Sequence, residues 1–228
     1  MAGYLERMRE EISAAKNGGT YKESLFLTSP MSQRVSMEGR GDVLVLSSNN
    51  YLGLSDHPDV VKAGIDGLKK FGAGTGSVRF ICGSFSIHRE LEKEIADFLQ
   101  KESALSYVAC WNANTGLIPT IATEKDIIIS DSLNHASIID ACRLTGSKVT
   151  RKVYSHSDMS QLKALLEESK DFENRFIITD GVFSMEGDVA KLPEIVELAK
   201  KYKAVIIMDD SHATGVIGKT GAGTAEYF

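Results

Sequence analysis

The stretch Ala204 to Gly215, AVIIMDDSHATG, runs five apolar residues into two acids, a serine, a histidine and a glycine. An apolar run without polar alternation suits a strand covered on both faces, and open α/β sheets bind ligands beyond the carboxyl ends of such strands. Asp209, Asp210 and His212 are therefore expected at a mouth. Successive strand residues point to opposite faces, so the two acids should do different jobs rather than share a proton. A lone carboxylate at the end of an apolar strand is costly to desolvate, so one of the two should meet a cation or strong donors. A protonated ring nitrogen meets that need, and so does a metal ion at an acidic strand end.

Other stretches combine polar side chains with turns. In Ser48-Asn49-Asn50-Tyr51-Leu52-Gly53-Leu54, amides and a phenol could face a small polar ligand, although Asn is also a common turn residue. Gly72 to Ser77, GAGTGS, looks like a dinucleotide fingerprint, but that motif must follow a strand and this one follows a helix. The nucleotide reading is rejected. Arg79, just beyond, suits an anionic group of a ligand or a surface ion pair with a nearby acid. Cys110-Trp111-Asn112-Ala113-Asn114-Thr115-Gly116 turns into a helix whose first amides form a natural phosphate cradle. His135, in Asp131 to Ser137, opens another helix and by itself reads as a capping or surface histidine. Asp180 to Asp188, DGVFSMEGD, follows a buried strand and by itself reads as a glycine-rich turn.

The elements that must position these groups follow from periodicity. Residues 4 to 16 predict a surface helix with Leu5, Met8 and Ile12 on one face, ended by Asn17-Gly18-Gly19. Val43 to Ser47 reads as a short strand, and Asp56-His57-Pro58 opens a helix through Lys70. Ser86 to Gln100 is amphipathic, with His88 as a helix-start residue. Ala104–Ala109, Asp126–Ser130, Val149–Tyr154, Arg175–Thr179 and the run into Asp209 read as strands, and Asp158 starts a helix over Leu162 to Ser169. Strands alternating with helices predict a right-handed, mostly parallel α/β sheet with flanking helices.

Composition narrows the function. The 228 residues are 43% hydrophobic and 25% charged, ordinary for a globular chain, with 26 basic and 31 acidic residues giving a formal charge of -5. No basic footprint for nucleic acid is present, and no apolar run approaches a membrane span. Cys82, Cys110 and Cys142 are odd in number and far apart, which predicts neither disulfides nor a zinc site and suits a reducing cytoplasm. The amino terminus is amphipathic and charged, without the apolar core of an export signal.

Taken together, the motifs resemble the α-oxoamine synthases, a branch of the fold-type-I pyridoxal phosphate enzymes. The stretches that carry the resemblance are Asn49 to Leu54, Ser77 to Gly83, Asp180 to Asp188 and Asp209 to His212. The resemblance implies pyridoxal 5'-phosphate as cofactor. It implies that Asp209 pairs with the ring nitrogen, that His212 and Ser184 meet the phenolic oxygen, and that His135 lies on the ring face and touches substrate. It further places Cys110 and Trp111 amides on the phosphate, Asp210 and Ser211 in the same cofactor motif, and Asn49 on the amino-acid carboxylate, with Arg79 on substrate carboxylate or coenzyme A phosphate. The SVRFICG form of the Arg79 loop is most similar to the branch condensing glycine with acetyl-CoA. A homodimer is implied as well. A branch using another amino acid or acyl-CoA, and an inactive cofactor-binding module, are the alternatives.

The same resemblance predicts a domain plan. Residues 1–45 form a helix and arm, and residues 46–228 form part of a cofactor-binding large domain. The Schiff-base lysine and a carboxyl-terminal small domain are expected beyond Phe228, which leaves an incomplete sheet and a chain inactive by itself.

Overall fold

The computed structural model describes residues 2–228, which divide into two compact units, 1–72 and 73–228. In the first unit, α1 (Ala2–Asn17) is a solvent-facing helix closed at Gly18 and Gly19. Strands β1 (Arg34–Met37) and β2 (Gly41–Leu44) form an antiparallel hairpin, with Met37 opposite Gly41. The strand expected at Val43–Ser47 is thus shifted forward and belongs to this hairpin rather than to the parallel sheet. Helix α2 (Pro58–Phe71) starts on His57, whose ring accepts from the Asp59 amide, and Pro58 fits the first turn because its missing N–H would be unpaired there.

The second unit is a parallel sheet between two helical layers. Its order is β4 (Thr150–Tyr154), β3 (Ile127–Asp131), β5 (Arg175–Asp180), β6 (Val205–Asp209), a four-stranded sheet among the described residues. Alternation splits the central strands between two cores. Ile127, Ile129 and Ile177 pack with Leu162, Leu166, Ile195 and Ala199 of α6 (Met159–Glu168) and α7 (Leu192–Tyr202). Ile128, Phe176 and Ile178 pack on the other face with Ile118, Ile138 and Ala141 of α4 (Cys110–Ile121) and α5 (Ala136–Leu144). Complete burial of an isoleucine stabilises by about 1.5 to 3 kcal/mol, which explains the unbroken apolar runs.

Ala104–Ala109, expected as a strand, runs between α3 (Ser86–Phe98) and α4 without joining a ladder among the described residues. A strand exists only against a partner edge, and in this unit the edges are β4 and β6. Beyond β6, residues 210–223 wind back to the short helix α8 (Thr224–Tyr227). Every parallel strand delivers its carboxyl end to the same rim. Asp131, Asp180 and Asp209 are the last residues of three adjacent strands there.

Candidate active site

Asp209 shares its face of β6 with Ile207, which packs on the α4 and α5 side. Its carboxylate is surrounded by donors. Asn114 Nδ2 donates to Oδ2 at 2.8 Å and the Cys110 thiol donates to the same oxygen at 3.2 Å. The Ser211 amide and hydroxyl donate to Oδ1 at 3.1 and 2.6 Å. Burial pushes the acid's pKa up, yet the donors from Ser211, Asn114 and Cys110 outweigh burial and hold it below the usual aspartate value. Asp209 is therefore ionised at neutral pH. The Cys110 thiol moves the other way, raised chiefly by burial and also by the neighbouring carboxylate, so it stays a neutral donor.

Asp210 turns to the opposite side and does other work. Its Oδ1 accepts from the Thr224 hydroxyl at 2.6 Å, and its Oδ2 accepts from the Thr214 hydroxyl at 3.0 Å and the Thr224 amide at 3.1 Å. The contacts tie the returning segment 211–224 to the strand end. Ala213 and Thr214 amides also donate to the Asp210 carbonyl, which makes the sharp turn that brings His212 back to the rim.

His135 caps α5. Its Nδ1 accepts from the Ser137 amide at 3.2 Å and meets the Ser137 hydroxyl at 2.7 Å, so the neutral ring carries its proton on Nε2. Its own amide donates to Asp180 Oδ2 at 2.7 Å. Asn114 Nδ2 also donates to the Ser137 hydroxyl at 3.0 Å, and this continuous chain joins His135, Ser137, Asn114 and Asp209. The Trp111 ring meets the His135 ring edge-on at 6.1 Å. Capping and a place in the site, set apart as alternatives for His135, are compatible here.

A cavity of about 220 Å³ brings His135, Asp180, Ser184 and His212 together with Leu133, Asn134, Ala136, Met185 and Glu186. Sequence reasoning gave no role to three polar residues, two that line this cavity and one beside Asp209. Asp180, 4% exposed, is pushed up to about 7 by burial, against the His135 amide bond and with repulsion from Asp209 and Asp131. Asn134 donates to Ser130 Oγ at 2.9 Å and the Ile178 carbonyl at 2.8 Å, and accepts from the Asp180 amide at 2.9 Å. Asn114 is the third. All lie in the motif segments, but only the strand register shows that they converge.

Arg79 is engaged elsewhere in the second unit. Its guanidinium donates to Glu92 at 2.9 Å, Ser84 at 2.9 Å and Ser106 at 3.1 Å. Glu92, held down to about 2 by the Ser106 amide and hydroxyl and then by Arg79, stays charged. This is the ion pair with a nearby acid weighed above, partly buried rather than on the surface, with two N–H groups of Arg79 left for another acceptor. Asn49 lies in the first unit, exposed, and accepts from the Tyr51 hydroxyl at 3.2 Å. Its neighbour Asn50 closes the turn through the Ser55 amide.

These residues fit a phosphorylated pyridine. The amino terminus of α4 has Ala109 at its cap, with no side chain satisfying the first amides, so Cys110 and Trp111 present open N–H groups suited to phosphate. Asn114, one turn on, binds the ionised Asp209, which suits a protonated ring nitrogen. Among the described residues no three His, Cys, Asp or Glu side chains converge as a metal site, and no helix is long and apolar enough to cross a membrane.

A parallel α/β sheet with an ionised carboxylate at one strand end and open helix amides beside it defines the fold-type-I class of pyridoxal phosphate transferases. The chain belongs to the aminotransferase class I and II family, whose pattern matches residues 41–227, and within it to the α-oxoamine synthases. It is 48% identical over 225 residues to 8-amino-7-oxononanoate synthase of Thermoanaerobacter pseudethanolicus, covering 98% of this chain and 56% of that protein. It is 47% identical over 220 residues to mitochondrial 2-amino-3-ketobutyrate coenzyme A ligase of Bos taurus, covering 96% of this chain and 52% of that protein. A serine palmitoyltransferase structure from S. paucimobilis with bound PLP superposes with TM-score 0.89 at 30% identity, over 100% of this chain and 57% of that one. The chain thus spans little more than half the length of these relatives. The two curated relatives stand level, so identity does not separate the glycine-specific branch from its neighbours.

Proposed function

We propose that the protein joins glycine to the acetyl group of acetyl-CoA, giving 2-amino-3-ketobutyrate and CoA, with pyridoxal 5'-phosphate as cofactor and as a homodimer. The observation that carries the cofactor chemistry is Asp209, a carboxylate kept charged by four donated hydrogen bonds at the end of an apolar strand. The choice of glycine and acetyl-CoA is supported by the form of the Arg79 loop.

When bound, the cofactor would supply the acceptor for the electron pair left at the glycine α-carbon once its proton is removed. Asp209 holds the proton on the ring nitrogen. Cys110 and Trp111 amides bind the phosphate, and Asp210 keeps the 211–224 return in place so that Ser211 can hold Asp209 oriented. His135 would stack on the ring, and His212 and Ser184 would donate at the phenolic oxygen. Asn49 orients the substrate carboxylate, and the free N–H groups of Arg79 serve a substrate carboxylate or coenzyme A phosphate. The glycine α-carbon bonds to the acetyl carbonyl carbon, and the thiolate of CoA leaves and takes up a proton.

A second reading, supported by the 48% relative as the first is by the 47% one, keeps these roles but takes another amino acid and a longer acyl donor, as in 8-amino-7-oxononanoate synthase. Glycine and alanine, each offered to the protein with acetyl-CoA and with longer acyl-CoAs while thiol release is followed, separate the two. Thiol release only from alanine with a long donor defeats the first reading.

A further inference from the structure

Outside the site itself, His156 meets an acid at each of its two ring nitrogens. It lies in the loop between β4 and α6, where Nδ1 sits 3.1 Å from Asp131 Oδ1 and Nε2 sits 2.7 Å from Asp188 Oδ2. A carboxylate only accepts, so the ring satisfies both partners together only as an imidazolium. Asp131 is 2% exposed at the end of β3 and is further bound by the Leu133 amide at 2.9 Å and the Ser157 amide at 2.9 Å. Asp188 is the last residue of the turn that follows β5. The Phe183 ring meets His156 edge-on at 4.4 Å and is itself buried.

The turn between Phe183 and Asp188 presents Ser184, Met185 and Glu186 to the 220 Å³ cavity. Its own bonds are few. The Phe183 amide donates to the Asp188 carbonyl at 3.0 Å and the Gly187 amide to the Phe183 carbonyl at 2.7 Å, while residues 184–188 are exposed. Such a turn by itself sits at the low end of local stability. The ion pair through Asp188 and the ring contact through Phe183 tie both of its ends to one side chain, and Asp131 ties that side chain to the sheet.

We infer that His156 is a positioning residue, a charged clamp that fixes the 183–188 turn to the end of β3 and thereby sets where the Ser184 hydroxyl stands over the cavity. The consequence for cofactor rests on the reading of Ser184 given above; the clamp itself does not. Asp131 and Asp188 are the charged groups that face the ring. Burial works against the imidazolium, but the hydrogen bonds to Asp188 and Asp131 raise its pKa above the ordinary histidine value. The clamp therefore stays closed to a higher pH than an ordinary histidine would allow and opens as pH rises through that raised value.

Hydrogen exchange of the cofactor-free protein tests the clamp, and visible absorbance of the loaded protein tests its consequence. In H156Q and in D188N, exchange at Phe183 and Gly187 should rise about tenfold, as expected for losing a charge-assisted contact, while the β3 and β5 amides stay protected. The pH midpoint of the cofactor absorbance should move in H156Q as it does in S184A. Unchanged protection of the turn in both clamp variants overturns the proposal, as does a His156 ring that titrates at or below the ordinary value by NMR. If the turn loosens in both variants but S184A leaves the absorbance unmoved, the clamp stands and the role assigned to Ser184 falls.

Discussion

Asp180 and Asp209 are register partners on adjacent strands, and their carboxyl groups are shifted in opposite directions. The difference lies in their donors. Asp209 accepts four hydrogen bonds, two from Ser211 and one each from Asn114 and Cys110, and stays charged. Asp180 accepts the His135 amide and is buried beside two other acids, so its neutral form is favoured. One pair of neighbouring aspartates thus supplies a fixed negative charge and a group that titrates near neutrality.

That pair sets a pH dependence of stability. The folded pKa of Asp180 is raised from 3.8 to about 7, so the folded chain holds a proton that the unfolded chain has released. Stability from this group is present below about pH 4 and is lost as pH rises to about 7, with an upper bound of about 4 kcal/mol. D180N keeps an acceptor for the His135 amide and removes the titration. The stability of D180N relative to the parent, measured by denaturant unfolding, should grow by about 2 kcal/mol from pH 4.5 to pH 8. A difference that does not change with pH would show that Asp180 is not the group responsible.

Asp209 should govern cofactor affinity through charge rather than shape. D209N preserves size, but its one carbonyl oxygen can accept either from Ser211 or from Asn114 and Cys110, and it cannot offer a full negative charge to a pyridinium. Charge-assisted hydrogen bonds are worth about 1.5 to 3 kcal/mol, so pyridoxal phosphate should bind about tenfold to a hundredfold more weakly. Equilibrium titration of cofactor absorbance reads this. Equal affinity in D209N would remove Asp209 from the ring nitrogen.

Much of this architecture was legible from sequence, for reasons specific to each element. The unbroken runs at Ile127–Ile129 and Phe176–Ile178 announce strands buried on both faces, because apolar side chains on both faces leave no other stable place for them. Asp158 was legible as a cap, and it accepts the Ser160 and Gln161 amides at 3.0 Å. Ala104–Ala109 misled because strand composition says nothing of a partner edge. The placing of Asn114, Asn134 and Asp180 was hidden because it depends on register and helix docking: Asn114 reaches Asp209 across 95 residues of sequence, and Asn134 reaches the Asp180 amide across 46. His156 carried no motif signal at all; its meaning comes from two acids 25 and 32 residues away.

Asn134 should be a structural keystone of the rim. Its amide bridges Ser130 on β3 and the Ile178 carbonyl on β5, and its carbonyl oxygen receives the Asp180 amide. N134A leaves a buried carbonyl and a buried amide without their partners, each costing about 1 to 3 kcal/mol. Denaturant unfolding should show a loss of about 3 kcal/mol, and exchange should rise at the Asp180 amide first. A loss below about 1 kcal/mol would mean that water takes over both groups.

Gly223 should be irreplaceable for two separable reasons. Its φ of 86° and ψ of -158° lie in a region that essentially only glycine occupies, and an added Cβ would overlap Asp210 Oδ2 and come within 3.0 Å of Thr214 Oγ1. Gly146 provides the comparison, since at φ 80° a Cβ there would meet nothing within 4 Å. G146A should cost only backbone strain, about 1 kcal/mol. G223A adds displacement of the Asp210 carboxylate from Thr214 and Thr224, so its cost should reach about 3 kcal/mol or more. Limited proteolysis should then cut within 211–222 in G223A and not in G146A. Equal destabilisation of the two variants would mean that Asp210 is not what fastens this return segment to the strand that carries Asp209.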